Sequence, residues 1–150
     1  MHKLLVDTGV EEFEINGRGV LRFNPGDPNI YHRFFAAREE LAALDEELTR
    51  RSAELSQGEQ DGASLELLAE YDHRVKALLN RVFGAPNDFD LLLEGVNLAG
   101  VGGNGRRVVE NLLEALAPIL QEGAQRTVQG TAAEAVDRAR AAREARAARA

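Results

Sequence analysis

Two stripes of apolar residues, recurring every three or four positions, constrain the fold of this 150-residue chain more than any other feature. The spacing matches one face of an α-helix, in which about 3.6 residues complete a turn. It predicts one helix from residue 28 to about residue 56 and another from residue 64 to residue 83, joined by the polar loop QGEQDG. Such a pair folds back as an antiparallel hairpin with the stripes facing each other. The stripes comprise Ile30, Phe34, Ala37, Leu41, Leu44 and Leu48, then Leu68, Tyr71, Val75, Leu78 and Val82.

Residues at the helix ends agree with this prediction. Asp27 is a good N-cap, and Pro28 suits the first helical position, where a backbone N–H has no intrahelical acceptor. Ser64 is the corresponding candidate cap of the second helix. Gly84 and Pro86 follow the last apolar position, as is typical where a helix ends.

A β-hairpin is predicted before the helices, because EFEI and VLRF alternate in the manner of half-buried strands and Asn-Gly lies between them. A two-residue loop sets Phe13 opposite Val20, and a three-residue loop sets Phe13 opposite Leu21. We favour the second register, with Gly19 easing a bulge, because it gathers the apolar side chains on one face and pairs Glu12 with Arg22. KLLVD offers a third strand, so both a hairpin and a three-stranded meander remain open.

Two adjacent aromatic residues, Phe34 and Phe35, begin the first helix. Phe34 belongs to the apolar stripe. Phe35 points about 100° away around the helix, so we expect it to contact the strands.

The C-terminal third predicts more helix. NDFDLLLEG suggests a helix of two turns, VNLAGVGGNG a loop, and Asn104 a cap for a helix whose apolar residues run from Val108 to Leu120. Pro118 lies inside that run and predicts a kink or a short break. The fold class is therefore α+β and mostly α, with one domain over residues 1–123 and an Ala/Arg-rich tail, helical or frayed, over residues 124–150.

Charge is unevenly distributed. The chain carries a net charge of -7, while residues 124–150 hold six Arg and three acidic residues, so the remainder carries -10. An acidic body argues against a nucleic-acid partner, and no aromatic residues interleave with the tail arginines to stack on bases. We expect the tail to meet a protein partner or to fray. No segment is apolar enough to cross a membrane, and the absence of cysteine fits a reducing cytoplasm.

Candidate chemistry is sparse. Gly100, Gly102 and Gly105 match G-x-G-x-x-G before a helix, but no convincing strand precedes them and no acid-ended strand follows, so we favour a loop over a dinucleotide site. The three histidines, His2, His32 and His73, lack the spacing of metal ligands. The acidic residues of REELAALDEEL lie between the stripe positions, which indicates a solvated helix face. We expect no catalytic, cofactor-binding or metal-binding residues.

The segment EEFEINGRGVLRFNPGDPNIYHRFFAAREEL resembles the opening of tail assembly chaperone-like proteins of siphophages and prophages. VFGAPNDFDLLLEGVNLAGVGGNGRRVVENLLEALAPIL resembles a later segment of the same proteins. The likeness covers roughly residues 11–48 and 82–122, and the tail departs from it.

The resemblance implies a non-enzymatic protein of the host bacterial cytoplasm that coats the tape measure protein and brings tail tube protein to it. We expect a homo-oligomer that binds through exposed stripe positions, with Phe34, Leu41, Leu44, Leu48, Leu112 and Leu116 as candidate contact residues. The alternatives are a self-associating structural or scaffolding subunit of a phage particle and a nucleotide-binding enzyme that uses the glycine loop.

Overall fold

The computed structural model describes residues 1–55 and 60–149. Two strands, β1 (Glu11–Ile15) and β2 (Gly19–Phe23), precede four helices: α1 (Pro28–Glu54), α2 (Gln60–Phe83), α3 (Phe89–Leu92) and α4 (Val108–Arg149). The prediction of an α+β fold that is mostly helical is confirmed. Within the described ranges, no helix combines the length and apolarity that a membrane span requires.

The strands form an antiparallel hairpin in the favoured register, with Phe13 opposite Leu21 and Glu12 opposite Arg22. Its three-residue loop places Asn16 and Gly17 at positive φ, 54° and 74°, so the chain reverses within a short span. The described residues before β1 form no strand, so the meander alternative is wrong. Gly19 pairs with Ile15 in the regular ladder, and the predicted bulge is absent; a Cβ there would lie 3.0 Å from the Leu92 side chain.

The α1–α2 hairpin is antiparallel, as its cross-helix ion pairs show: Arg81–Glu40 at 2.7 Å, Arg74–Glu47 at 3.0 Å and Arg51–Glu70 at 3.0 Å. Asp27 caps α1 by accepting the Asn29 N–H at 2.9 Å, as predicted. The two apolar stripes therefore meet within one chain.

The start of α2 differs from the prediction. Residues 57–59 of the expected loop lie outside the described residues, and Gln60 already belongs to the helix. Ser64 is consequently inside α2 and does not cap it. The other end is as predicted, because the Gly84 N–H donates to the Asn80 carbonyl at 2.9 Å with φ at 74°.

An aromatic cluster joins the hairpin to the helices. Phe23 stacks on Phe13 at 4.9 Å between ring centroids and meets Phe83 edge-on at 4.9 Å, and Phe83 lies 5.4 Å from Phe89. The prediction that Phe35 contacts the strands is wrong. Its side chain is 58% exposed, beside Arg38, because the ends of α2 and α3 already cover the sheet.

The region between α2 and α4 is mostly loop. The helix α3 is a single turn rather than the two predicted, and Asp88 caps it. Asn104 does not cap α4; its side-chain oxygen accepts the Arg106 N–H within the loop, at 3.1 Å.

The helix α4 continues through Pro118, so of the two predicted outcomes the short break is absent, and the kink stays a prediction. Leu116 and Leu120 are each 4% exposed and anchor the helix to the core on both sides of the proline. Further along, the Thr127 hydroxyl donates to the Gly26 carbonyl at 2.5 Å. From Val128 to Arg149 every described side chain is exposed, and the helix continues to Arg149.

Candidate protein-binding groove

The strand β1 presents a free edge. On the opposite edge of the sheet, Asn87 accepts the Arg22 N–H at 2.9 Å and donates to the Arg22 carbonyl at 2.8 Å. Arg22 therefore directs its backbone away from β1. In an antiparallel ladder, the two residues of a pair direct their backbone groups either toward each other or away from each other, and the two cases alternate along the strand. Because Arg22 pairs with Glu12, the N–H and C=O groups of Glu12, and of Glu14 two residues further on, point outward from β1. Within the described residues these groups form no hydrogen bond.

An apolar groove of about 640 Å³ runs between this edge and the first half of α4. Residues 12–16 of β1 and its loop line one wall. The other wall is one face of α4, since its lining positions recur at helical spacing. Its apolar lining includes Phe13, Ile15, Leu112, Ala115, Leu116 and Ile119.

Two of the six predicted contact residues, Leu112 and Leu116, lie in this groove. They are only 9% and 4% exposed, so they form its floor rather than a protruding surface. The expectation that they are exposed is wrong, because both side chains belong to the buried core cluster. Their participation in partner binding stays a prediction.

The other four predicted residues, Phe34, Leu41, Leu44 and Leu48, lie on α1. All are half-buried against the core. Where Leu44 and Leu48 meet Leu67 and Tyr71, the remaining gap is about 10 Å³, the space of a single water. This face of α1 therefore packs on α2 of the same chain, and the groove of about 440 Å³ that remains beside Leu44 is smaller than the one beside α4.

The rim of the groove is acidic. Glu11, Glu12 and Glu14 are exposed on β1, and Arg22 approaches Glu12 at 3.7 Å from the neighbouring strand. An approaching segment with basic residues is therefore favoured electrostatically.

A network of polar side chains around Tyr71 lies outside the groove, and no sequence pattern predicted it. The Tyr71 hydroxyl donates to Asp45 at 2.5 Å, and Arg107 lies 3.4 Å from the same carboxylate. Burial and the bond to Asp45 raise the pKa of Tyr71 above its usual range. Asp45 thus ties α1 to α2 and to the start of α4, although it was predicted to belong to a solvated face.

A buried lysine joins α2 to α3. Lys76 is 4% exposed and donates to Asp72 at 2.9 Å and to Asp90 at 2.6 Å. Burial opposes the charge, but the two carboxylates outweigh it and raise the pKa of Lys76. No periodic pattern marks this residue, because its partners are assembled by the tertiary fold.

The glycine loop does not have the geometry of a dinucleotide site. At the start of α4, the Val108 N–H donates to the Gly100 carbonyl and the Val109 N–H to the Leu98 carbonyl, each at 2.9 Å. In a dinucleotide loop such N–H groups would face the pyrophosphate. Here the loop itself occupies them.

The three histidines are exposed, as expected for solvated residues. Across the described residues, no group of three or more acidic or histidine side chains converges as a metal site would require.

Comparisons with known proteins add no assignment to this geometry. No family model, curated protein or solved structure matches the chain.

Proposed function

We propose that this chain is a non-enzymatic tail assembly chaperone of the siphophage type, which holds an apolar segment of a tape measure protein in the host cytoplasm. The observation that carries the proposal is the groove between β1 and α4, an apolar floor beside an unpaired strand edge. The resemblance of residues 11–48 and 82–122 to such chaperones supplies the identity of the client.

The groove offers two kinds of interaction to a client. Its floor removes apolar side chains from water, which stabilises binding by about 25 cal/mol per Å². The free edge offers backbone hydrogen bonds that are independent of the client's side chains. This combination suits a protein that must hold many similar stretches of one long, aggregation-prone chain.

The exposed part of α4, residues 128–130 and 134–149, lies beyond the groove. We assign the tail tube protein to this segment, because its arginines complement an acidic surface and its position leaves the groove open to the tape measure protein. Both partners then occupy the chain together.

The test uses the full chain and the purified tape measure protein of the same phage or prophage. Ile119 lines the groove, and we expect Ile119→Ser to weaken binding about tenfold, because a large aliphatic contact is lost. Val128→Ser is the matched control, since Val128 lies on the same helix, is 68% exposed and is outside the groove. Binding by titration calorimetry should be unchanged in the control. A wild-type chain that does not bind, or equal effects of both variants, overturns the proposal.

A self-associating structural or scaffolding subunit is the second candidate. It is favoured by Leu4, Leu5 and Val6, which are 90%, 99% and 76% exposed. The protein content of purified phage particles distinguishes the two functions, because a structural subunit is present in the finished particle and a chaperone is absent from it.

A further inference from the structure

We infer that the edge of β1 binds residues 3–7 of a second copy of this chain as an added strand. The inference uses the groove of the proposed function, so the second copy and a client compete for it, but it does not depend on the identity of any client. The residues concerned have the sequence KLLVD.

The receiving surface is defined by β1. Glu12 and Glu14 direct their backbone groups outward, and the groove extends from this edge to α4. A strand added here pairs with those groups and places alternate side chains over the groove. The five residues of β1 span roughly 17 Å, at about 3.3 Å per residue, and five residues of an added strand match them.

The donated segment is exposed and apolar. Leu4, Leu5 and Val6 are at least three-quarters exposed, an unusual state for three consecutive large apolar residues. In an added strand, Leu4 and Val6 lie on one face and face the groove. Leu5 then lies with Glu12 and Glu14 on the solvent face.

The same copy is poorly placed to donate this segment to its own β1. The Asn24 side chain donates to the Thr8 carbonyl at 2.9 Å, and the Gly9 N–H donates to Asp7 at 2.9 Å. Gly9 has φ at 73°, and a Cβ there would lie 2.9 Å from Asn24. Asn24 follows β2, so these contacts turn the chain toward β2 and away from the free edge. A return to β1 within one copy would break them, whereas exchange between copies leaves them intact.

Charge also favours a second copy as the occupant. Lys3 leads the apolar run, and β1 carries Glu11, Glu12 and Glu14 without a lysine. Pairing places the Lys3 ammonium along an acidic strand, which favours encounter and register. When exchange is reciprocal, both edges are covered and a two-fold dimer results.

The test is self-association of the full chain without any client, measured by sedimentation equilibrium. We expect the wild type to associate, and Leu4→Ser combined with Val6→Ser to weaken association at least about tenfold. Leu5→Ser is the control, because it removes apolar area from the residue between them, which lies on the solvent face. A monomeric wild type, or equal effects of the control and the double variant, overturns the inference.

Cross-linking tests the position directly, since the chain has no cysteine of its own. Mixing a Leu5→Cys copy with a Glu12→Cys copy should give a disulfide-linked heterodimer on oxidation, because the two side chains lie on the same face of the added strand. Mixing Leu5→Cys with Glu39→Cys, an exposed position on α1, should give little. Equal yields overturn the inference. Neither measurement involves a client. A negative result in these two experiments therefore does not contradict client binding by the groove, and a negative result for client binding does not contradict strand exchange.

Discussion

Asn87 takes the place of a neighbouring strand for β2. It is 9% exposed, and its amide satisfies both backbone groups of Arg22 and also donates to the Phe83 carbonyl at 3.3 Å. We expect Asn87→Ala to lower the free energy of unfolding by about 2–3 kcal/mol, because part-buried backbone groups lose their partners. Urea denaturation checks this value.

Asn29→Ala is the matched control for that substitution. Asn29 is exposed on the first turn of α1, and its side chain makes no hydrogen bond among the described residues. The free energy of unfolding should change by less than about 0.5 kcal/mol. If both variants lose the same stability, the bonds to Arg22 do not support the hairpin.

Tyr71 makes the stability of the fold sensitive to alkaline pH. Because its pKa is raised in the folded chain, the unfolded chain releases the phenolic proton first, near pH 10. The contribution of Tyr71 is complete below that pH and declines as the pH rises toward the folded pKa. We expect Tyr71→Phe to lose about 1–2 kcal/mol at pH 7 and to lose less additional stability between pH 9 and pH 11 than the wild type. Parallel slopes of unfolding free energy against pH would contradict the assignment.

Periodicity predicts which single residues are buried when an element has one covered face. Tyr71, Val75 and Val82 were placed correctly because each repeats at helical spacing. Phe35 and Asn87 could not be placed in this way. The environment of Phe35 depends on which helices cover the sheet, and that of Asn87 depends on a partner 65 residues away in the chain. Neither dependence produces a local sequence pattern.

At the scale of elements, α4 packs against the turn before α1 through a glycine. Gly123 is buried, and a Cβ at this position would overlap the Pro25 carbonyl oxygen and lie 2.8 Å from the Tyr31 hydroxyl oxygen. We expect Gly123→Ala to destabilise the chain by about 1–3 kcal/mol, because backbone on both sides must move. Thermal unfolding followed by circular dichroism measures the change.

Gly130→Ala is the matched control on the same helix. A Cβ at Gly130 meets no atom within 4 Å, so this variant should gain up to about 1 kcal/mol from helix propensity. A gain in both variants would show that Gly123 is not in contact with the turn.

Element prediction succeeded where caps and stripes agreed, as at Asp27 and Gly84. It failed at the start of α2, where helix continues N-terminal to Ser64. At Pro118 the sequence predicts a kink or a short break, and the break is absent because buried leucines on both sides hold one continuous helix. A single missing backbone bond costs less than separating those leucines from the core. The energies that determine where these helices begin and continue come from tertiary packing, so local helix propensity alone does not predict the outcome.

At the scale of the whole molecule, the candidate site arises where two distant segments meet. The residues Leu112 and Leu116 were predicted as contacts because they are apolar at helical spacing, but the groove exists only since β1 packs beside them. The four α1 residues satisfied the same criterion and are half-buried against the core instead. The spacing of apolar residues identifies the apolar faces of the helices, and the tertiary fold determines which of these faces remain accessible to a partner.

The tail from residue 130 onward should be separable from the rest of the molecule. Its described side chains are exposed, and among the described residues the last hydrogen bond of α4 to the turn before α1 is at Thr127. Removing residues 130–150 should therefore leave the free energy of unfolding within about 0.5 kcal/mol of the full chain, while the molar helical signal falls because a long helical segment is lost. Urea denaturation and circular dichroism on the same samples measure both quantities. A large loss of stability would mean that the Ala/Arg helix packs on the body, and the open end of α4 would then no longer be available to the partner that we propose for it.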